Sequence, residues 1–180
     1  MKNYEHEEAG RRLPVDQPVI ARIDGRCFSS WTRGLQRPHD ARLGWLMVDT
    51  TAHLMREAGA CVGYTQSDEI TLIWWLRKGV SPPFGFRVAK MTSVLASITT
   101  AFFNASVPQL LPERAGQPAE FDCRVWSVPN LTEATNTLIW RELDAERNAI
   151  GAAARPTDSH RELLGVSSAT RLEMHLARGG

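Results

Sequence analysis

The stretch CVGYTQSDEITLIWWL, residues 61–76, decides the fold. Its two halves, Cys61–Thr65 and Ile70–Leu76, are rich in β-branched, aromatic and other apolar residues, and the polar segment Gln66–Glu69 separates them. Two such runs joined by a short polar turn predict a β-hairpin. Because the turn ends in two acids, the hairpin is expected to carry carboxylates at its tip.

A strand and a helix are predicted before this hairpin. Val19–Ile23 is a short β-prone run that ends at the turn-forming pair Asp24-Gly25. Asp40 is a residue type that caps helices, and Gly59 is one that ends them. The apolar residues between these two recur at helical spacing, and they are Leu43, Leu46, Met47, Leu54 and Met55.

A second helix and a fourth strand are predicted after the hairpin. Apolar residues recur at helical spacing over about Arg87–Asn104. The segment Val107–Glu120 is rich in Pro, Gly and Gln, and we expect it to be a loop. Phe121–Val128 alternates as a strand does, and Pro129 closes it.

Two helices are predicted in the last part of the chain. Asn130 and Glu133 form a capping pair for a third helix that runs to about Ile150. The signal weakens beyond this point, where Ala152–Arg161 is expected to be a loop and Ala169–Ala177 a short terminal helix.

The resulting order of elements is β-α-β-β-α-β, the ferredoxin-like arrangement. This is an α+β fold in which an antiparallel sheet carries helices on one face, followed here by C-terminal helices. A chain of 180 residues is long enough for one domain with a sizeable core and too short for two comfortable ones. We therefore expect residues 1–180 to form a single domain.

The predicted topology brings two distant acids together. Asp24 ends the first strand and Asp68 lies at the hairpin tip, and these elements are neighbours in a ferredoxin-like sheet. Two close carboxylates repel each other unless a cation lies between them, and Mg²⁺ binds through one or two carboxylates together with substrate phosphates. Two such ions can assist an in-line displacement at phosphorus, as in the palm domains of polymerases and cyclases. Gly25 permits a close backbone approach to such a site.

Each acidic turn taken alone is more often structural than catalytic. Taken alone, each nearby basic residue is also more often structural than functional. These residues are Arg22, Arg26, Arg33, Arg37 and Lys90. Arginine suits phosphate, but scattered basic residues are mostly solvated surface. Phe28 and Trp31 could form a surface on which a base stacks, but aromatic residues at this spacing more often belong to the hydrophobic core.

The composition excludes several classes of protein. The net charge is +1, so any binding of nucleic acid must come from a local patch. Three scattered cysteines without a C-x-x-C pair predict neither disulfides nor a zinc site. No apolar run approaches the roughly 20 residues that cross a bilayer, and the charged segment Met1–Arg12 is not a secretory signal. A cytoplasmic protein is expected.

Nearly the whole chain resembles one known family. In order and spacing, four stretches are similar to the tRNA-histidine guanylyltransferase superfamily, the 3′-to-5′ RNA polymerases, and above all to its bacterial, archaeal and phage members. Lys90 and Ser93 also match a family helix. The four stretches are ARIDGRCF (residues 21–28), TRGL with RPHD (32–35 and 37–40), GYTQSDEI (63–70), and FDCRV (121–125) followed by Trp140-Arg141 and residues 144–150.

The resemblance implies a palm-like catalytic domain that uses two Mg²⁺ ions. Asp24 and Asp68 match the family's metal carboxylates, Gly25 matches a carbonyl ligand, and Glu69 beside them is assigned to the catalytic group. The implied nucleotide-binding residues are Asp24, Gly25, Arg26, Cys27, Phe28, Ser29, Arg37, Asp40, Ser67, Asp68 and Lys90.

The resemblance also implies an activity. Similar enzymes activate a 5′-phosphorylated tRNA end with ATP, after which the 3′-hydroxyl of an incoming nucleotide such as GTP attacks and AMP leaves. Relatives assemble as tetramers, so a homo-oligomer is expected. Glu146–Ala149 stands where eukaryotic members carry His-Ile-Asn-Asn, which favours templated 5′-end repair of tRNA or tRNA-like RNA over addition of a single guanosine. Ser29 replaces a eukaryotic histidine, and the chain ends at Gly180 where relatives continue.

The sequence is also compatible with two other functions. One is a nucleotide cyclase or small-molecule nucleotidyltransferase on the same palm, which would turn over nucleotides without RNA. The other is a non-catalytic RNA-binding or assembly module derived from the enzyme, in which the paired acids would be dispensable.

Overall fold

The computed structural model describes residues 2–37, 39–154, 170 and 173. Four strands and five helices are assigned within this part of the chain. They are α1 (Lys2–Ala9), β1 (Val19–Gly25), α2 (Phe28–Trp31), α3 (Ala41–Ala58), β2 (Val62–Gln66), β3 (Glu69–Trp74), α4 (Val88–Leu110), β4 (Phe121–Ser127) and α5 (Leu131–Ala154), with short 3-10 turns at Pro83–Phe86 and Pro112–Arg114.

The strands form one antiparallel sheet in the order β2-β3-β1-β4. With α3 between β1 and β2 and α4 between β3 and β4, this confirms the predicted ferredoxin-like α+β fold. The predicted hairpin is β2–β3, and its register places Gln66 opposite Glu69. The centre of the sheet therefore consists of β1, which ends at Asp24 and Gly25, and β3, which begins directly after Asp68.

The two faces of the sheet are covered by different helices. On one face Val19, Ala21 and Ile23 of β1 belong to the main core, to which α3 and α4 contribute buried residues such as Leu46 and Leu95. On the other face Ile20 of β1, Ile73 of β3 and Ala134 of α5 form a second, smaller core. Because successive side chains of a strand alternate between faces, α5 covers the face opposite α3 and α4.

Helix α3 begins and ends where its sequence predicts. The side chain of Asp40 accepts a hydrogen bond from the backbone N–H of Arg42, as an N-cap residue does. Gly59 ends the helix with φ 61°, a left-handed conformation that glycine adopts without strain. Asn130 likewise accepts a hydrogen bond from the N–H of Glu133 at the start of α5.

The loop predicted for Val107–Glu120 is wrong in its first part, because α4 continues to Leu110 through Pro108. A proline inside a helix removes one backbone hydrogen bond and crowds the preceding turn. The N–H of Leu111 nevertheless donates to the carbonyl of Val107, whose side chain is buried. Packing of this last turn therefore outweighs the local signal of the proline.

The ends of the chain differ from their predictions in two respects. Helix α5 extends to Ala154, so the loop predicted for Ala152–Arg161 is wrong for its first three residues, and its remainder lies outside the described residues. Thr170 and Glu173 are helical, as the predicted terminal helix requires, and the rest of that helix lies outside the described residues. Helix α1 has no apolar stripe and is not predicted by periodicity.

Among the helices described, none has both the length and the apolar character needed to cross a membrane.

Candidate active site

A cleft of about 890 Å³ opens beside the ends of the two central strands. Its walls come from four segments, which are the end of β1 with α2, the loop before α3, the first half of α3, and the β2–β3 turn. A cavity of this size lies within the range of small-molecule and cofactor sites.

Asp24 and Asp68 both line this cleft. The backbone N–H of Gly25 donates to the carbonyl oxygen of Asp68 over 3.2 Å, which ties the end of β1 to the hairpin turn. Partial burial raises the pKa of Asp68, and the negative charge of Asp24 raises it further, whereas a hydrogen bond from the Ser67 hydroxyl, 3.0 Å long, opposes the rise. The fold thus brings these two carboxylates within electrostatic reach of each other.

Gly25 leaves no room for a side chain. A Cβ at this position would lie 2.5 Å from Cδ2 of Phe28 and 3.1 Å from Cβ of Asp68. The first distance is shorter than any normal contact, and a ring packed in the core cannot easily move. Glycine is therefore required where the backbone of β1 passes the acidic turn.

Two non-glycine residues of the cleft have left-handed backbone conformations. Cys27 has φ 52° and Ser67 has φ 50°, and both line the cleft. Such conformations cost of order 1–3 kcal/mol each and are concentrated at functional sites. The strained backbone therefore lies two residues after Gly25 and directly before Asp68.

Glu69 lies beside the cleft, and its side chain does not line it. Its Oε1 accepts a hydrogen bond of 2.6 Å from Nε of Arg141 on α5, and its Oε2 is 3.8 Å from Nε of Arg22. Burial raises the pKa of Glu69, and the positive charge of Arg141 opposes this rise. A catalytic role for Glu69 stays a prediction, and in this structure its carboxylate is held by arginine.

Asp40 lines the cleft, but both of its carboxylate oxygens are already bonded within the protein. They accept hydrogen bonds from the backbone N–H groups of Gln36 and Arg42 and from the Arg42 guanidinium. The Arg42 side chain is the main cause that lowers the pKa of Asp40 to about 2. Asp40 therefore anchors the loop before α3, and its contact with nucleotide stays a prediction.

The structure separates the predicted cations. Arg37 lines the cleft, but Arg26 and Lys90 do not. Arg26 pairs with Glu120, and Lys90 is exposed in the first turn of α4. Arg22 faces Glu69 on the α5 side of the sheet.

The two predicted aromatic residues belong mainly to the core. Phe28 is 5% exposed and stacks on Trp31 at 5.1 Å between ring centroids. The indole N–H of Trp31 donates to the carbonyl of Gln117 over 2.7 Å. Phe28 still contributes to the wall of the cleft, as do Ser29 and Ser67.

Sequence reasoning missed Trp45, which lines the cleft and is 66% exposed. A signal was available, because Trp45 lies off the apolar stripe that buries α3. A tryptophan on the polar side of an amphipathic helix has no packing role to explain it.

Paired carboxylates beside a cleft, on a ferredoxin-like sheet, are typical of palm-type nucleotidyltransferases and cyclases. Comparison with known proteins narrows this class. The model of the Thg1 family, tRNAHis guanylyltransferase, matches residues 1–129. The chain therefore belongs to the tRNAHis guanylyltransferase family, a family of nucleotidyltransferases, which confirms the resemblance found in the sequence.

Individual relatives agree with this assignment. A bacterial tRNAHis guanylyltransferase (Thg1)-like protein in complex with ATP is 32% identical with a TM-score of 0.88, over 96% of this chain and 75% of that one. A similar bacterial protein in complex with GTP is 35% identical with a TM-score of 0.80, over 86% and 73%. Protein R259 of Acanthamoeba polyphaga mimivirus is 34% identical over 83% of this chain, which spans 59% of that relative's length.

Proposed function

We propose that the chain adds nucleotides in the 3′-to-5′ direction to the 5′ end of tRNA or a tRNA-like RNA. The observation that carries this proposal is the meeting of Asp24 and Asp68 in one cleft, in a chain of the tRNAHis guanylyltransferase family. The bacterial relatives solved with ATP and with GTP support these two nucleotides as substrates.

The side chains of the cleft fit Mg²⁺. Within the part of the chain that the structure describes, no three His, Cys, Asp or Glu side chains form a cluster that could hold a metal ion alone. Mg²⁺ needs fewer protein ligands, because it binds through one or two carboxylates and takes phosphate oxygens from its substrate. Asp24 and Asp68 would hold it, with the Gly25 carbonyl as a further donor, and Mg²⁺ would neutralise phosphate charge and activate a hydroxyl.

The cleft residues have distinct parts in this proposal. The paired acids fix the position of the triphosphate's reacting end, and Gly25 lets the backbone approach it closely. Arg37 supplies a planar set of donors for phosphate oxygens. The reaction proceeds as adenylylation of the 5′-phosphorylated RNA end by ATP with release of pyrophosphate. Attack by the 3′-hydroxyl of the incoming nucleotide then releases AMP.

The test is an extension assay with purified protein, Mg²⁺, ATP, GTP and 5′-monophosphorylated or 5′-triphosphorylated tRNA. The wild type should lengthen the RNA at its 5′ end, and Asp24→Asn should reduce this by at least about 100-fold, the scale of losing one electrostatic contact to a transition state. Asp49→Asn, on the exposed face of α3 outside the cleft, is the matched control and should retain activity. No product from either RNA would refute the proposal. Turnover of nucleotide without RNA would indicate a cyclase or small-molecule enzyme instead.

Gly25→Ala should abolish extension and destabilise the fold by about 1–3 kcal/mol, because its Cβ would overlap the Phe28 ring. Urea denaturation and the extension assay measure the two effects. Gly59→Ala is the control, since a Cβ there meets no atom within 4 Å and only its left-handed φ is strained, at about 1–2 kcal/mol. A Gly25→Ala enzyme as active as Gly59→Ala would show that close backbone approach is not needed.

We also propose that residues 1–180 act as one domain that assembles into a homo-oligomer. All four strands belong to one sheet, which supports a single unit. Light scattering after size-exclusion chromatography would measure the oligomeric state, and a mass of one chain at working concentration would contradict it. Cytoplasmic location stays a prediction.

A further inference from the structure

Trp45 is exposed in a way that folding does not explain. It lies on α3, whose buried residues Leu46, Met47 and Leu54 face the core. Its own side chain is 66% exposed, so the indole adds little to the hydrophobic stabilisation of the fold. A large aromatic surface left open to water inside a cleft is typical of a ligand-binding position.

The wall to which Trp45 belongs is apolar. Ala41, Trp45 and Val48 all line the cleft, and their spacing of four and three residues places them along one side of α3. None of the three carries a charge. Val48 is also 45% exposed, so part of an apolar strip along the helix is open to the cleft.

A second ring lies next to this strip. A Cβ on Gly44 would be 3.1 Å from Nε2 and 3.2 Å from Cε1 of His39, so the imidazole lies close against the helix where glycine leaves space. His39 and Gly44 both line the cleft. The helix surface beside Trp45 is therefore bordered by one more flat ring.

The cleft thus has two chemically different parts. One contains the carboxylates of Asp24 and Asp68, and the other contains the apolar strip with Trp45. A nucleotide has the same division, with charged phosphates at one end and a flat aromatic base at the other. Stacking of a base on an aromatic side chain is tolerant of sequence because every base has a π-face.

We propose that Trp45 stacks on a nucleobase bound in the cleft, while the part formed by Asp24 and Asp68 receives the phosphates of the same ligand. The inference rests on the proposed function in that its occupant is a nucleotide. The base belongs either to a free nucleoside triphosphate or to the 5′-terminal residue of the RNA. These two sources share the same chemistry and are separated by the test.

The experiment compares Trp45→Ala and Trp45→Phe with the wild type by titration with ATP, GTP, 5′-phosphorylated RNA and inorganic tripolyphosphate. Stacking is worth about 1–3 kcal/mol per base, so Trp45→Ala should weaken binding of the base-containing ligand by about 5–150-fold. Trp45→Phe should retain most of the affinity. Tripolyphosphate has no base, and its affinity should not change in either variant.

Trp75→Phe is the matched control for fluorescence, because Trp75 is 41% exposed directly after β3 and does not line the cleft. Quenching of indole emission by the bound base should persist in Trp75→Phe and fall in Trp45→Phe. Loss of affinity for ATP and GTP identifies the free nucleotide as the source of the base, and loss for RNA alone identifies the RNA end.

The inference would be overturned if Trp45→Ala bound every base-containing ligand as tightly as the wild type does. It would also be overturned if Trp45→Ala lost as much affinity for tripolyphosphate as for the base-containing ligands. A wild type that binds no nucleotide would overturn it as well. A different result would contradict the proposed function alone. In that case the wild type binds nucleotide with an affinity that depends on Trp45 but does not extend RNA.

Discussion

Asp68→Asn is expected to reduce nucleotide transfer by at least about 100-fold and, in metal-free buffer at neutral pH, to melt at a higher temperature than the wild type. The loss of activity follows from removing one of the two carboxylates that we assign to the metal and the triphosphate. The gain in stability follows from the electrostatics of the turn, in which partial burial and the nearby Asp24 raise the pKa of Asp68.

The direction of the pH dependence follows from this shift. Because the pKa of Asp68 is higher in the folded than in the unfolded chain, the stability that this group contributes is present below its ordinary pKa. It is lost as the pH rises through the raised value. Asn is neutral throughout, so the difference in melting temperature between Asp68→Asn and the wild type should appear over that pH range and stay constant above it.

Thermal melts from acid to neutral pH, with EDTA or with Mg²⁺, measure this effect. Mg²⁺ should raise the melting temperature of the wild type more than that of Asp68→Asn, because an ion that binds only the folded state stabilises it. Asp49→Asn is again the control and should show neither change. Equal stabilisation of both proteins by Mg²⁺ would remove Asp68 from the set of metal ligands.

Most of the fold could be predicted from local patterns. The hairpin of residues 61–76 has runs of strand-forming residues on either side of a polar turn, and Asp40 and Gly59 mark the two ends of α3. These signals act over a few residues, and the sheet order follows from the sequence of elements. The meeting of Asp24 and Asp68 was predictable for the same reason, since Asp24 lies at the end of β1 and Asp68 lies in the turn that leads into the neighbouring strand β3.

What could not be predicted depends on contacts between distant residues. Pro108 stays helical because the last turn of α4 packs into the core, which no local propensity reports. The partner of Glu69 lies 72 residues away on α5. The position of Trp45 off the apolar stripe of α3 indicates an exposed side chain, but the cleft beside it is formed by segments distant in the chain, which no local pattern reports.

Arg141→Met is expected to lower the free energy of unfolding by up to about 3–5 kcal/mol, the scale of removing the closest partner of a buried charge. The Arg141 side chain is only 8% exposed. Its Nε donates to Glu69 and its Nη2 donates to Asp144 over 2.9 Å. Methionine has similar length and no charge, so the packing of α5 against the sheet is largely kept. The carboxylate of Glu69 then keeps only the longer ion pair with Arg22, at 3.8 Å, and remains beside Asp24.

Three comparisons, measured by urea denaturation, separate the effect of the Glu69 charge from the loss of the Arg141 side chain itself. Arg147→Met also removes a partner of Asp144, but the Arg147 side chain is 54% exposed, so it should cost no more than about 1 kcal/mol. Glu69→Gln combined with Arg141→Met should recover much of the stability, because neither of the two most buried members of this ion-pair group then carries a charge. At acidic pH the deficit of Arg141→Met alone should shrink, since protonation neutralises Glu69.

The last comparison also tests how α5 is linked to the active site. Burial raises the pKa of Glu69, and Arg141 opposes that rise. Without Arg141 the carboxylate should therefore titrate at a higher pH, and the stability lost at neutral pH should return as the pH falls through that value. A deficit no larger than that of Arg147→Met, and independent of pH, would show that Arg141 contributes mainly through its stem and its contact with Trp140. Glu69, next to Asp68 in the chain, would then need no counter-charge from α5.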